Sequence, residues 1–140
     1  MPLPNFATLT QRFISSRQLL SGDWANAVTD SLTSVQSLTA FAGGGKASAT
    51  QINAASVKLA VVATAADSVK LPPGAAGMEV FIANAGAASA QVFGSGTDTI
   101  NGVATGTGVP QANGVSAIYR CVVGPTAAAP AAQWFRVLSA

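Results

Sequence analysis

The most patterned part of the chain runs from Asp67 to Val103, where short stretches of alternating apolar and polar residues are separated by Gly, Pro, Asn and Asp. Val69 and Leu71 alternate with Ser68 and Lys70 before Pro72-Pro73-Gly74 ends the run. Met78, Val80 and Ile82 alternate with Glu79, Phe81 and Ala83 before Asn84-Ala85-Gly86. A period of two puts successive side chains on opposite faces of a strand, and the Pro, Gly and Asn clusters supply turns. Gln91-Val92-Phe93 and Thr99-Ile100 then flank Gly94-Ser95-Gly96-Thr97-Asp98, a glycine-rich bend. Four strands with no helical period between them predict a β-meander, and with it an all-β sandwich or barrel.

The flanking segments extend this pattern. Thr50 to Thr64 reads as one or two strands with Ile52, Val57, Leu59, Val61 and Val62 as the buried set. Gly102 to Gly114, rich in glycine and holding Pro110, reads as a loop or a broken strand. Asn113-Gly114 lies just before a strand at Val115 to Val123, and the pair is a hairpin signal because both residues tolerate positive φ. After a second loop, Gly124 to Ala132, the closing strand Gln133 to Ala140 carries Trp134, Arg136 and Leu138 on one face and Phe135 and Val137 on the other. The total is about seven or eight strands.

The first part of the chain differs. Between Ser21 and Ala40, Asp23 can cap a short helix, and Trp24, Val28, Leu32, Val35 and Leu38 fall along one side of it. The Ser and Thr content of the segment opposes a helix. Met1 to Leu20 mixes Phe6, Leu9, Phe13 and Ile14 with polar residues, and two readings stand: an edge strand of the same sandwich, or an extended arm that buries Phe6, Phe13 and Ile14 on a neighbouring subunit. Phe41 to Ala49, with Gly43-Gly44-Gly45-Lys46, reads as a hinge. The expected organisation is therefore residues 1–46 as arm, short helix and hinge, followed by residues 47–140 as the β domain.

Charge changes the picture. Asp, Glu, Lys and Arg make up only 9% of the 140 residues, against about 25% in an ordinary soluble protein. So little surface charge gives weak repulsion between copies, which predicts that much of the surface is covered by subunits of this or another kind. The seven cations are scattered and exceed the acids by two, whereas a nucleic-acid surface needs a clustered basic face. No window reaches the roughly twenty apolar residues of a membrane helix. Met1 to Leu20 lacks a continuous apolar core of the secretory kind, so the expected place of synthesis is the cytoplasm, with export only as part of a particle.

Candidate chemistry is sparse. There is no histidine, which removes a Ser-His-Asp triad and any histidine-bearing zinc site. Gly43-Gly44-Gly45-Lys46 fails as a phosphate loop, because Ala40 stands where the first glycine belongs and Ala47 where a Mg²⁺-binding Ser or Thr is required. Cys121, the one cysteine, shares a face with Val115, Ala117, Tyr119 and Val123 and reads as a buried structural thiol. Among five isolated acids, Glu79 and Asp98 are a pair that only the fold could assemble, and Asp98 reads first as a turn residue bonding its own backbone. No catalytic residue, metal or cofactor is implied.

Several stretches carry a family resemblance: Leu38-Thr39-Ala40 with Gly43-Gly44-Gly45; Asp67-Ser68-Val69-Lys70-Leu71-Pro72; Ile82-Ala83-Asn84-Ala85-Gly86; Gln91-Val92-Phe93-Gly94; and Thr99-Ile100-Asn101-Gly102. Together, over roughly Leu38 to Leu138, they resemble a pattern in small virion proteins of tailed bacteriophages, among them the cement or decoration proteins on the outside of icosahedral heads. The resemblance implies a jelly-roll-like β-sandwich and a non-enzymatic structural role on the capsid surface, clamping the shell against the pressure of packaged DNA. It further implies the major capsid protein and a second or third copy of the chain, as homodimer or homotrimer, as partners. Phe6, Phe13, Ile14 and Trp24 are the expected contact residues. The alternative is a tail-fibre or spike domain that binds a host receptor through loops Gly94 to Asp98 and Gly102 to Gly114; those loops contain no aromatic residue to stack on a sugar.

Overall fold

The computed structural model describes residues 34–139. Within them lie ten strands: β1 (Gln36–Thr39), β2 (Thr50–Gln51), β3 (Ser56–Val61), β4 (Ser68–Lys70), β5 (Glu79–Asn84), β6 (Ala90–Phe93), β7 (Thr99–Ile100), β8 (Val109–Gln111), β9 (Ser116–Val123) and β10 (Gln133–Leu138). The described chain is all-β, as the alternating pattern requires. The wiring is not that of a meander.

Apart from β9 and β10, successive strands do not pair with one another. They alternate between a six-stranded sheet, ordered β1-β3-β5-β9-β10-β7, and a four-stranded sheet, ordered β2-β4-β6-β8. The chain thus winds from sheet to sheet, and each new strand lies parallel to the one a full turn earlier: β3 on β1, β5 on β3, β4 on β2 and β6 on β4. Antiparallel pairing enters only with β8 against β6 and with β9 between β5 and β10. A jelly roll is an antiparallel architecture of two Greek keys, and the parallel coil of β1 to β6 departs from it.

Two local expectations change with this wiring. Asn113-Gly114 does form a turn, with Gly114 at φ 74°, but it carries the chain from β8 in one sheet to β9 in the other and closes no hairpin. Gln36–Thr39, expected as the end of a helix, is strand β1, whose alternate residues Gln36 and Leu38 are the less exposed ones. β1 and the glycine run belong to the same compact unit as the later strands, a unit that begins at Val35.

One core fills the space between the sheets. Val57, Leu59, Val80, Ile82, Tyr119, Cys121 and Trp134 from the larger sheet and Val69, Val92 and Val109 from the smaller belong to a single buried cluster. Every second residue of β9 points into it: Ala117, Tyr119 and Cys121 are buried, while Ile118 and Arg120 are exposed. Cys121 is the structural thiol its pattern predicts.

Buried polar side chains tie the turns to this core. Asp67 accepts hydrogen bonds from the Ala63 and Thr64 amides at 2.9 and 3.0 Å, from the Thr64 hydroxyl at 2.6 Å and from the Gly43 amide at 3.3 Å. Gln111, fully buried, donates through Nε2 to the Ile82 and Val115 carbonyls and accepts from the Tyr119 hydroxyl, all at 2.9 Å. Asn84 donates to the Ala88 and Gln111 carbonyls, both at 2.9 Å. A buried amide is tolerated only when its donors and acceptors are satisfied, and these are.

Candidate functional site: the outer face of the large sheet

On β5, β9 and β10 the pleat sends one set of side chains into the core and the other outward. The outward set is not polar. Register places Phe81 directly opposite Ile118, and Ile118 directly opposite Val137. These three form an apolar row across three strands, with about 5 Å between neighbouring strands. The adjacent row is Glu79, Arg120 and Phe135, again in direct register. Phe81 is 41% exposed, Ile118 44%, Phe135 48% and Val137 69%. An antiparallel sheet that meets water on its outer face normally alternates apolar-in with polar-out, and here four of six cross-strand positions are apolar on the water side.

A shallow hollow of about 210 Å³ sits within the apolar row, bordered by Phe81, Ile118, Val137, Leu138 and the Ser116 and Ser139 backbone region. Next to it, Arg120 Nη1 lies 3.1 Å from Glu79 Oε2, with both side chains at least half exposed. A pair this open contributes about 0–1 kcal/mol. Beyond Glu79 the sheet rim opens into a second cleft of about 270 Å³ lined by Asn53, Ala54, Ala55, Pro72, Met78 and Val80. Neither hollow brings two ionisable groups together apart from the Glu79–Arg120 pair at its rim.

The two carboxylates that only the fold could assemble are kept apart. Glu79 is committed to Arg120 on the outer face. Asp98 is buried beneath the loops before β7, where Oδ2 accepts from the Gly74 amide at 2.9 Å and from Trp134 Nε1 at 3.4 Å, and Oδ1 accepts from the Ala132 amide at 2.8 Å. Its bonds are therefore long-range staples, not the local turn bonds expected of it; only its backbone amide makes the turn contact, to the Ser95 carbonyl at 2.7 Å.

The glycine run is likewise pinned. Lys46 Nζ donates to the Gly96 carbonyl and to the Thr105 hydroxyl, and to the Thr105 carbonyl at 3.1 Å. Burial lowers the Lys46 pKa from its ordinary value; the Asp98 carboxylate opposes that shift and Lys70 adds to it. The ammonium thus fastens the run to the Gly94 to Asp98 bend, and the segment expected to be a hinge is an anchored loop. No group of three His, Cys, Asp or Glu lies close enough to hold a metal among the described residues, and no helix there is long and apolar enough to cross a membrane.

Phe6, Phe13, Ile14 and Trp24, the expected contact residues, lie outside the described residues. The outer-face residues carried a signal in the sequence. Val80-Phe81-Ile82 and Trp134-Phe135 put large apolar side chains on both faces of a strand, which a one-sided sheet does not need. Comparison of the chain with protein-family models, with curated proteins and with solved structures gives no match.

Proposed function

We propose that this chain is a non-enzymatic structural component of a bacteriophage particle, a cement or decoration protein that binds the outside of the head and stabilises the shell, with the major capsid protein and further copies of itself as partners. The single observation behind a structural role is the outer face of β5, β9 and β10: an exposed, cross-strand apolar grid on a chain in which only 9% of residues are charged. Contiguous exposed apolar surface of this kind marks a protein contact or an aggregation liability. A shell protein repeated many times turns that liability into a contact. The particle itself and the capsid location rest on the resemblance of Leu38 to Leu138 to phage virion proteins.

The receptor-binding alternative gains nothing from the loops it needs. The Gly94 to Asp98 bend is held from one side by Lys46, and its carboxylate is consumed by Gly74, Ala132 and Trp134. Counting copies in purified particles by quantitative mass spectrometry separates the two roles. Hundreds of copies per particle is the expected result; a few to a few dozen would replace cement by a tail or spike part.

A further inference from the structure

The outer face is built to be covered, and its composition narrows what covers it. On β5, β9 and β10 the only outward charges are Glu79 and Arg120, one of each sign, side by side. A strongly basic or acidic partner would leave one of them facing its own sign. A second copy of the same face would not: in an isologous contact the two-fold axis brings residue i against j and j against i, so Arg120 of one copy can meet Glu79 of the other, and the reverse.

Area points the same way. Phe81, Ile118, Val122, Phe135 and Val137 are each between 41% and 69% exposed, and together they present on the order of 500 Å² of apolar surface, within the range of the largest, often functional, patch on a monomer. A standard interface buries about 800 Å² per partner, and a homodimer interface is about 65% apolar. The patch therefore supplies about the apolar share that one side of a dimer contact requires. Two such sheets can pack face to face about 10 Å apart, as the sheets of a sandwich do, with a Phe135 or Phe81 ring of one copy entering the hollow between Phe81, Ile118 and Val137 of the other.

We infer that the outer face of β5, β9 and β10 is a self-association surface, on which two copies of the chain pack sheet to sheet about a two-fold axis with reciprocal Arg120–Glu79 contacts. This rests on reading that face as one covered by protein, and it names the protein.

The test uses the full chain, purified, in sedimentation equilibrium and native mass spectrometry, so its result does not depend on where the chain sits on a particle. Wild type is expected to populate a dimer. Ile118→Lys puts a charge at the centre of the row and should raise the dimer dissociation constant about tenfold or more, as like charges do across an interface. Ile118 is 44% exposed, so the variant should keep the wild-type circular dichroism and melting temperature. Arg120→Glu leaves the face with two anions and Glu79→Arg leaves it with two cations. Each alone should dimerise about tenfold or more weakly than wild type, and an equimolar mixture of the two should recover a heterodimer. A wild type that stays monomeric at every soluble concentration, a dimer indifferent to Ile118→Lys, or a mixture that yields no heterodimer each overturns the proposal and gives the face to a different protein. Copy counting on particles can fail or succeed independently of all three.

Discussion

The Tyr119 hydroxyl donates to Gln111 Oε1 at 2.9 Å in the middle of the core, joining β9 of the six-stranded sheet to β8 of the four-stranded one. Burial pushes the Tyr119 pKa up to about 12, although nearby Arg136 pulls in the opposite direction. Because the folded-state value is above the unfolded one, the stabilisation is complete below pH about 10 and is lost as pH rises through about 12. Linkage sets that loss at roughly 2–3 kcal/mol. Tyr119 is the only tyrosine, so tyrosinate absorbance reads this group alone. Wild type should titrate late, together with unfolding, and Tyr119→Phe should lose this alkaline step while costing about 1–2 kcal/mol at neutral pH for the orphaned Gln111 acceptor.

Acid works through a different turn. The Thr64 hydroxyl, then the Thr64 amide and the amides of Ala63 and Gly43, stabilise the ionised Asp67 and lower its pKa against the opposing effect of burial. A lowered folded-state value gives stability that is present above the ordinary carboxylate pKa of about 4 and is lost as pH falls through the folded one. Asp67→Asn should melt lower than wild type at neutral pH, and the gap should close as both are acidified below pH about 4. Melting temperature against pH for the two proteins checks this; a constant gap would refute it.

Asp98 holds three loops at once, so its loss should be felt well beyond its own turn. Asp98→Ala orphans the Gly74 and Ala132 amides and the Trp134 indole, and should cost roughly 3 kcal/mol or more in urea unfolding. Gly74→Ala strikes the same cluster from the other side: its new Cβ would lie 2.3 Å from Ala132 Cβ and 3.1 Å from Cys121 Sγ. Overpacking of this kind should cost about 1–3 kcal/mol.

The Cys121 thiol is fully buried and donates to the Val123 carbonyl at 3.3 Å. Burial, and secondarily the Asp98 carboxylate, raise its pKa. A thiol-reactive chromophore should therefore label it only at the rate at which the domain opens, and labelling should accelerate in step with denaturant-induced unfolding. Rapid labelling of the native protein would contradict its placement.

Strands were legible wherever side chains alternated, as at Glu79 to Asn84 and Ser116 to Cys121, because a period of two fixes which residues share a face. Partners were not. Val57 pairs with Ile82, and Thr50 with Val69, and nothing in an alternating pattern tells a strand to pass over its neighbour and lie parallel to the strand after it. Val35 and Leu38 fit a helical stripe by spacing alone, yet β1 takes its conformation from β3 alongside it. Asp98 carried the local signature of a turn residue, and its real donors, Gly74 and Ala132, are brought to it only by the folded chain. The low charge pointed toward a covered surface, and the exposed apolar face of β5, β9 and β10 is where the proposed contact would lie.

Cryo-electron microscopy of the purified particle decides whether the chain is a shell component. Density for this chain should repeat over the outside of the head, with the face bearing Phe81, Ile118 and Val137 buried against protein in every copy. Density confined to the tail or a single vertex, or a repeated copy whose Phe81–Ile118–Val137 face looks into solvent, would contradict that role.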